Sequence, residues 1–302
     1  MPRLRVNVAG LELGNPTVLA SGILGDEASL LRKAADSGFG AVTTKSFTTE
    51  PRKGYKTPIV AKVKAGLVNA VGLTNPGYIA IKDIINDAKV PGVPIVVSLA
   101  GSSVEEFHRM AVYADEVGAD AIELNLSCPH VEKMGMEIGH DPLYVAKLVG
   151  DIKGSITKPL FIKIGLSDNY LDVVGRALDK GADGITAINT VRGMAIDIYA
   201  KKPILSNIYG GLSGPAIHPI ATRIIYEIYA EYRANIIGTG GVEDWRDAVE
   251  FILAGASAVG IGTSISIRGL GIAKEVVDGI KRYMDSEGFK KLEDMIGYVH
   301  KT

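Results

Sequence analysis

Apolar residues along this chain fall into two alternating patterns. Short runs rich in β-branched residues alternate with longer amphipathic stretches. The runs predict strands at Thr17–Ala20, Ala41–Thr44, Ile95–Leu99, Ala121–Leu124, Leu160–Ile164, Gly184–Ile188, Ile236–Thr239 and Ala258–Ile261. The stretches predict helices at Glu27–Ser37, Tyr78–Ala88, Val104–Val117, Pro142–Ile152, Leu171–Lys180, Ile220–Tyr232, Asp244–Leu253 and Ile272–Ser286. The strands are nearly all apolar, as strands covered on both faces must be, which points to a parallel sheet between helices. Eight strands with eight helices is the count of an α/β protein built as a (β/α)8 TIM barrel.

A recurring turn supports the alternation. Ser37-Gly38-Phe39-Gly40-Ala41-Val42, Gly118-Ala119-Asp120-Ala121-Ile122, Gly181-Ala182-Asp183-Gly184-Ile185 and Gly255-Ala256-Ser257-Ala258-Val259 share one logic. A glycine ends a helix in the left-handed conformation, and an apolar strand starts after a tight turn. An open doubly wound sheet uses similar turns, so the repeat speaks for α/β more than for closure. Two stretches break the pattern. Ser46–Pro76, with Pro51, Pro58 and several glycines, predicts a small β-insertion, and Leu126–His140 predicts a long loop between strand and helix. Long loops after barrel strands lie on the C-terminal face, where barrel chemistry sits.

Length and composition narrow the class. A barrel takes about 250 residues, so 302 residues fit one barrel with inserted loops, and residues 1–302 are expected to form a single domain. Lysine plus arginine number 33 against 34 acids, a net charge of −1, which leaves no whole-molecule footprint for nucleic acid or an anionic membrane. No apolar run approaches a membrane span, and the N-terminus lacks a signal-peptide core. The one cysteine, Cys128, excludes an intrachain disulfide or an all-cysteine metal site and suits a reducing cytoplasm. The absence of glutamine hints at a heat-adapted source.

The polar residues at the ends of the predicted strands carry the candidate chemistry. They are Ser21, Lys45, Ser98, Asn125, Lys163, Asn189, Gly240-Gly241 and Gly262-Thr263. A lysine closing an apolar strand needs a partner, and a single one is commonly ion-paired or snorkelling. Two converging on one barrel mouth with asparagines point to a site. The glycine pairs follow the last two strands, where barrels bind phosphate through backbone N–H groups. A lone cysteine is most often an inert small hydrophobe; the place of Cys128 in Asn125-Leu126-Ser127-Cys128-Pro129, on a loop among these polar groups, shifts the reading toward a reactive thiol. The five histidines lack metal-ligand spacing, so no metal is expected. There is no G-x-G-x-x-G after a strand, no Walker loop and no G-x-S-x-G elbow.

Taken in order, these residues resemble the class 1 dihydroorotate dehydrogenases, FMN-dependent barrels of pyrimidine biosynthesis. The resemblance spans nearly the whole chain. It runs through Ala20-Ser21-Gly22, Thr44-Lys45-Ser46, Asn69-Ala70-Val71-Gly72-Leu73-Thr74-Asn75-Pro76-Gly77, Asn125-Leu126-Ser127-Cys128-Pro129, Lys163, Asn189-Thr190, Gly210-Gly211-Leu212-Ser213-Gly214-Pro215 and both glycine pairs. It implies one FMN per chain and oxidation of dihydroorotate to orotate. Cys128 resembles the base that removes the C5 proton while a hydride leaves C6 for flavin N5. Lys45 with the N–H groups of Gly72 and Leu73 would meet the substrate carboxylate. Asn69, Asn125 and Asn189 would grip the ring, with Thr190 adding a hydroxyl. Lys163 resembles the lysine beside flavin N1. Ser21, Ser46, Ser98, Ile188, Gly214, Gly240, Gly241, Gly262 and Thr263 match flavin-contact positions, as do Lys45 and Asn125. Ser127–His140 would close as a lid.

Two positions depart from the family pattern: His130 stands where asparagine often follows the Cys-Pro pair, and Ser98 where many members have asparagine. A cysteine base without an N-terminal membrane extension points away from the quinone-linked class. The Gly210–Ile217 run resembles the NAD-linked type, which implies a partner subunit carrying FAD and a 2Fe–2S cluster. This chain has neither the cysteines nor the NAD fingerprint for them. Such barrels commonly dimerise. The alternatives are a fumarate-linked enzyme, a dihydrouridine synthase, a dihydropyrimidine dehydrogenase-like enzyme, and a flavin-binding barrel without catalysis. The RNA enzyme would need a basic surface that the net charge does not supply. A pure binding module has no use for Cys128 beside three asparagines.

Overall fold

Each apolar run becomes a strand within a residue or two of its expected ends. They are β1 Thr17–Leu19, β2 Ala41–Thr43, β3 Ile95–Leu99, β4 Ala121–Asn125, β5 Leu160–Ile164, β6 Gly184–Ala187, β7 Ile236–Thr239 and β8 Ala258–Ile261. The structure, a computed structural model, describes residues 3–126 and 138–301. The eight strands pair in parallel and in sequence order, and β8 pairs with β1 to close a barrel. The (β/α)8 expectation therefore holds, and closure, which the turn repeat left open, is settled by the register Val259↔Thr17, Gly260↔Val18 and Ile261↔Leu19.

The helices are α1 Ala28–Asp36, α2 Ile81–Ala88, α3 Val104–Glu116, α4 Pro142–Lys153, α5 Tyr170–Asp179, α6 His218–Tyr232, α7 Trp245–Ala254, α8 Thr263–Arg268 and α9 Ile272–Glu287. Their starts follow capping chemistry. Ser103 accepts from the Glu106 N–H, Asp141 accepts from Leu143 and Tyr144 ahead of Pro142, and Asp244 forms a capping box with Asp247. The turn glycines Gly38, Gly118, Gly181 and Gly255 have φ of +101°, +96°, +100° and +130°, where a side chain would be strained. The predicted helix Tyr78–Ala88 begins with a tighter turn at Tyr78–Ala80. The six-residue α8 was not expected; it is too short to show a period.

Three additions surround the barrel. A hairpin of Val6–Val8 and Leu11–Leu13 packs its buried face against the main core, with Gly10 close to Pro159 just ahead of β5. That places it at the N-terminal end, away from the chemistry. The expected β-insertion is present as Val60–Val63 paired with Gly66–Asn69. It is only half a sheet. Gly210–Ser213 pairs with Gly66–Asn69, and Val191–Gly193 pairs with Gly210–Ser213, so a second insertion after β6 completes four antiparallel strands. A small core of Ala61, Val68, Ala70 and Leu205 holds them together. A two-residue ladder, Ile196–Asp197 with Lys202–Pro203, lies beyond.

Candidate active site

The C-terminal ends of the strands and the four-stranded insertion enclose a cavity of about 840 Å³. That lies within the range of about 300–1,000 Å³ usual for ligand and cofactor clefts. Strand ends supply the floor. Lys163 is the fourth residue of β5 and stands in register with Asn125 on β4 and Thr186 on β6. It is 5% exposed and lines the cavity, and its ammonium has no hydrogen-bond or ion-pair partner among the described residues. A buried ammonium in that position favours an anionic or electron-rich group in the space before it. Lys45, just past β2, also lines the cavity and pairs with Asp26 at 3.3 Å.

A chain of side-chain hydrogen bonds runs inward from the cavity wall. Asn189 Nδ2 donates to Asn125 Oδ1 at 3.3 Å, and Asn125 Nδ2 donates to Ser46 Oγ at 3.0 Å. Ser46 and Ser98 hydroxyls lie 2.9 Å apart, and Ser98 donates to Glu123 at 3.0 Å. Glu123 also accepts from Thr186 Oγ1 at 2.8 Å. All but Asn189 of these residues are buried. Asn189 Oδ1 meanwhile accepts from the Thr190 N–H at 2.8 Å.

The insertion supplies the roof. Asn69, Gly72 and Leu73 reach the cavity from it, and Asn69 Nδ2 donates to the Gly211 carbonyl at 3.4 Å, tying the two halves of the sheet. Leu73 adopts φ +55°, a left-handed conformation that costs a leucine energy. Asn75 holds it there. Buried at 4% exposure, Asn75 donates to the Leu73 carbonyl at 2.7 Å and to Thr48 Oγ1 at 2.9 Å, and accepts from the Thr48 and Gly77 N–H groups.

One corner is built from glycine. Gly240 and Gly241, after β7, have φ of +138° and +78°. A Cβ on Gly241 would lie 2.7 Å from the Gly214 carbonyl and 2.9 Å from His218 Cβ, and one on Gly240 would lie 2.9 Å from Ala221 Cβ. No side chain fits there, so both positions keep bare backbone where they line the cavity, as a backbone anion site requires. Gly262 is different: a Cβ there meets nothing closer than 3.6 Å, so its role is not enforced by packing.

The sequence also matches known proteins. Residues 3–284 match the family model described as dihydroorotate dehydrogenase. The chain belongs to the dihydroorotate dehydrogenase family. Among curated relatives, the dihydroorotate dehydrogenase B (NAD(+)), catalytic subunit of Pyrococcus abyssi is 46% identical over 300 residues, 99% of this chain and 100% of the relative. That of Thermoplasma volcanium is 44% identical over 301 residues, all of both chains. A protein of Aeropyrum pernix, provisionally named dihydroorotate dehydrogenase A (fumarate), is 46% identical over 302 residues, 100% of this chain and 99% of that one.

The residues expected from this dehydrogenase resemblance converge. Ser21, Lys45, Ser46, Asn69, Gly72, Leu73, Asn125, Lys163, Ile188, Asn189, Thr190, Gly214, Gly240, Gly241, Gly262 and Thr263 all line the one cavity. Ser98 does not: it is fully buried behind Ser46, so its hydroxyl reaches the cavity only through that neighbour. Cys128, His130 and the lid segment from Ser127 to residue 137 lie outside the described residues. The strand-end pattern misses Glu123, whose only signal is a lone carboxylate inside the run Ala121-Ile122-Glu123-Leu124-Asn125. It also misses Arg192 and Tyr209, which line the mouth from the second insertion with the guanidinium 5.1 Å over the ring.

Proposed function

We propose that this chain is a single FMN-binding barrel over residues 1–302 that oxidises dihydroorotate to orotate. The convergence of Lys163, three amides and a side-chain-free glycine corner in one cavity carries this proposal. The residues fit FMN: the corner suits a phosphate, the floor presents a buried cation, and the cavity is large enough for a ring system with substrate stacked on it. When bound, FMN supplies the acceptor for the hydride that leaves C6.

The chain's own residues do the rest. Backbone N–H groups at Gly240, Gly241, Gly262 and Thr263 hold the phosphate. Ser21, Ser46, Ile188 and Gly214 line the flavin, and Lys163 places a cation where reduction puts negative charge. Lys45 and the N–H groups of Gly72 and Leu73 hold the substrate carboxylate. Asn69, Asn125, Asn189 and Thr190 match the alternating C=O and N–H groups of the ring, because an amide offers both a donor and an acceptor. Cys128, as thiolate, removes the C5 proton. Loss of that proton with the C6 hydride leaves the C5–C6 double bond of orotate.

Electrons then pass to NAD through a partner subunit with FAD and a 2Fe–2S cluster. The NAD-linked names of several relatives and the Gly210–Ile217 run support this over fumarate. The setting is the cytoplasm, as a homodimer bound to that partner. Among the described residues no helix is long and apolar enough to cross a membrane. Orotate production from dihydroorotate by purified chain, reconstituted with FMN, FAD or no flavin and supplied with a dye acceptor, tests the proposal. Activity with FMN alone is expected; equal orotate without flavin would contradict it.

A further inference from the structure

One buried carboxylate has no part in the chemistry above. Glu123, in mid-strand on β4, is 3% exposed and accepts from two hydroxyls, Ser98 Oγ and Thr186 Oγ1. No cation among the described residues forms an ion pair with it. Burial of an anion without a countercharge is costly, and hydroxyl donors offset only part of that cost. Its place at the inner end of the chain to Asn125 and Asn189 gives it a use.

Both carboxylate oxygens of Glu123 accept, one from Ser98 Oγ and one from Thr186 Oγ1. The Ser98 proton is therefore committed to Glu123, and Ser98 Oγ is left to accept. Its neighbour at 2.9 Å, Ser46, must then donate to it. With its proton spent, Ser46 accepts from Asn125 Nδ2 at 3.0 Å, which turns the Asn125 oxygen toward Asn189. From the inner end each link has its direction fixed by the one before, and the Thr190 N–H, which can only donate, fixes the Asn189 oxygen from the outer end. The Asn125 amide thus meets the same demand from both sides, with Glu123 three hydrogen bonds away on the inner one.

We propose that Glu123 is a positioning residue that sets the donor direction of Ser98, Ser46 and Asn125 from within the barrel, and with it the pattern that a planar amide-bearing ring meets in the cavity. Chains of this kind also polarise one another, so an anionic terminus strengthens every link. The proposal rests on the assignment of these two amides to the ring of the substrate. Glu123→Gln tests it with little change of shape. A glutamine can donate to Ser98, which lets Ser98 donate to Ser46 and Ser46 to the oxygen of a turned Asn125 amide. The inner links then have two directions available instead of one, and the reversed one sets the Asn125 nitrogen against Asn189.

Two readouts decide the matter. In holoprotein labelled with nitrogen-15 at asparagine, the side-chain amide signals of Asn125 and Asn189, assigned through Asn125→Asp and Asn189→Asp, should move or double in E123Q. Orotate affinity, by calorimetry, should fall about 10- to 100-fold, the range for a misdirected buried hydrogen bond. Ser98→Ala severs the same chain and should give a similar loss, with no further loss in the E123Q/S98A double variant. Glu123→Asp, which keeps an acceptor-only terminus, should retain more affinity than E123Q. Unmoved amide signals with unchanged orotate affinity in E123Q would overturn the proposal. So would fully additive losses in the double variant. Should E123Q fail to fold, S98A alone decides by the same criteria. If the wild-type holoprotein does not bind orotate, the functional assignment fails, and the amide signals still judge the chain.

Discussion

Lys163 and Asn75 illustrate how single side chains are fixed here by what surrounds them. Lys163 occupies a strand position that would ordinarily hold an apolar residue, and it has no acid partner among the described residues. Lys163→Met keeps the length and removes the charge. The flavin potential should then fall by on the order of 30 mV or more, about 1.4 kcal/mol for a two-electron couple; equilibration with a redox dye measures it. Asn75 uses both of its polar atoms to tie the strained Leu73 carbonyl to Thr48 and the Gly77 N–H. Asn75→Ala leaves those buried groups unpaired and should lower stability by about 2–3 kcal/mol in denaturant unfolding. Orotate binding should weaken with it, because the Gly72 and Leu73 N–H groups lose their placement. Residues at strand ends were legible in the sequence, since Lys45, Asn125, Lys163 and Asn189 each interrupt or follow an apolar run. Glu123 and Asp26 were not: one lies in mid-strand, and the other gains meaning only when the loop after β1 brings it to Lys45.

At the scale of elements, the barrel was readable because its period is strong and its punctuation is chemical. Glycine after a helix, a cap before one, and an apolar run between them each follow from local backbone energetics. The roof was half readable. Val60–Val63 and Gly66–Asn69 lie in a stretch rich in proline and glycine, whereas their partners Val191–Gly193 and Gly210–Ser213 are short and glycine-rich and show no alternation. Only the pairing of segments more than a hundred residues apart reveals them, through the register Gly211↔Asn69. The glycine corner gives the sharpest element-level prediction. Gly241→Ala sets a Cβ 2.7 Å from the Gly214 carbonyl at a φ of +78°. FMN retained after gel filtration should drop at least about 10-fold, the effect of losing roughly 1.4 kcal/mol. Gly262→Ala, with nothing closer than 3.6 Å, should retain FMN nearly as well as wild type.

The whole molecule joins a packed barrel to a cavity open on one end, with a small hairpin at the other. On the proposed reading that arrangement serves a substrate giving up a proton and a hydride: the barrel floor carries charge, and Cys128, the proposed base, follows β4 in the sequence. Cys128→Ala removes the base and leaves every described cavity residue in place, so FMN content should be unchanged. General-base loss typically slows the chemical step by 10²- to 10⁴-fold. Anaerobic titration of the FMN-loaded chain with dihydroorotate, following the oxidised flavin absorbance, tests the central claim most directly. Complete bleaching at one dihydroorotate per flavin, with Cys128→Ala reduced at least about 100-fold more slowly, is the expected result. Flavin that stays oxidised under excess dihydroorotate would contradict it.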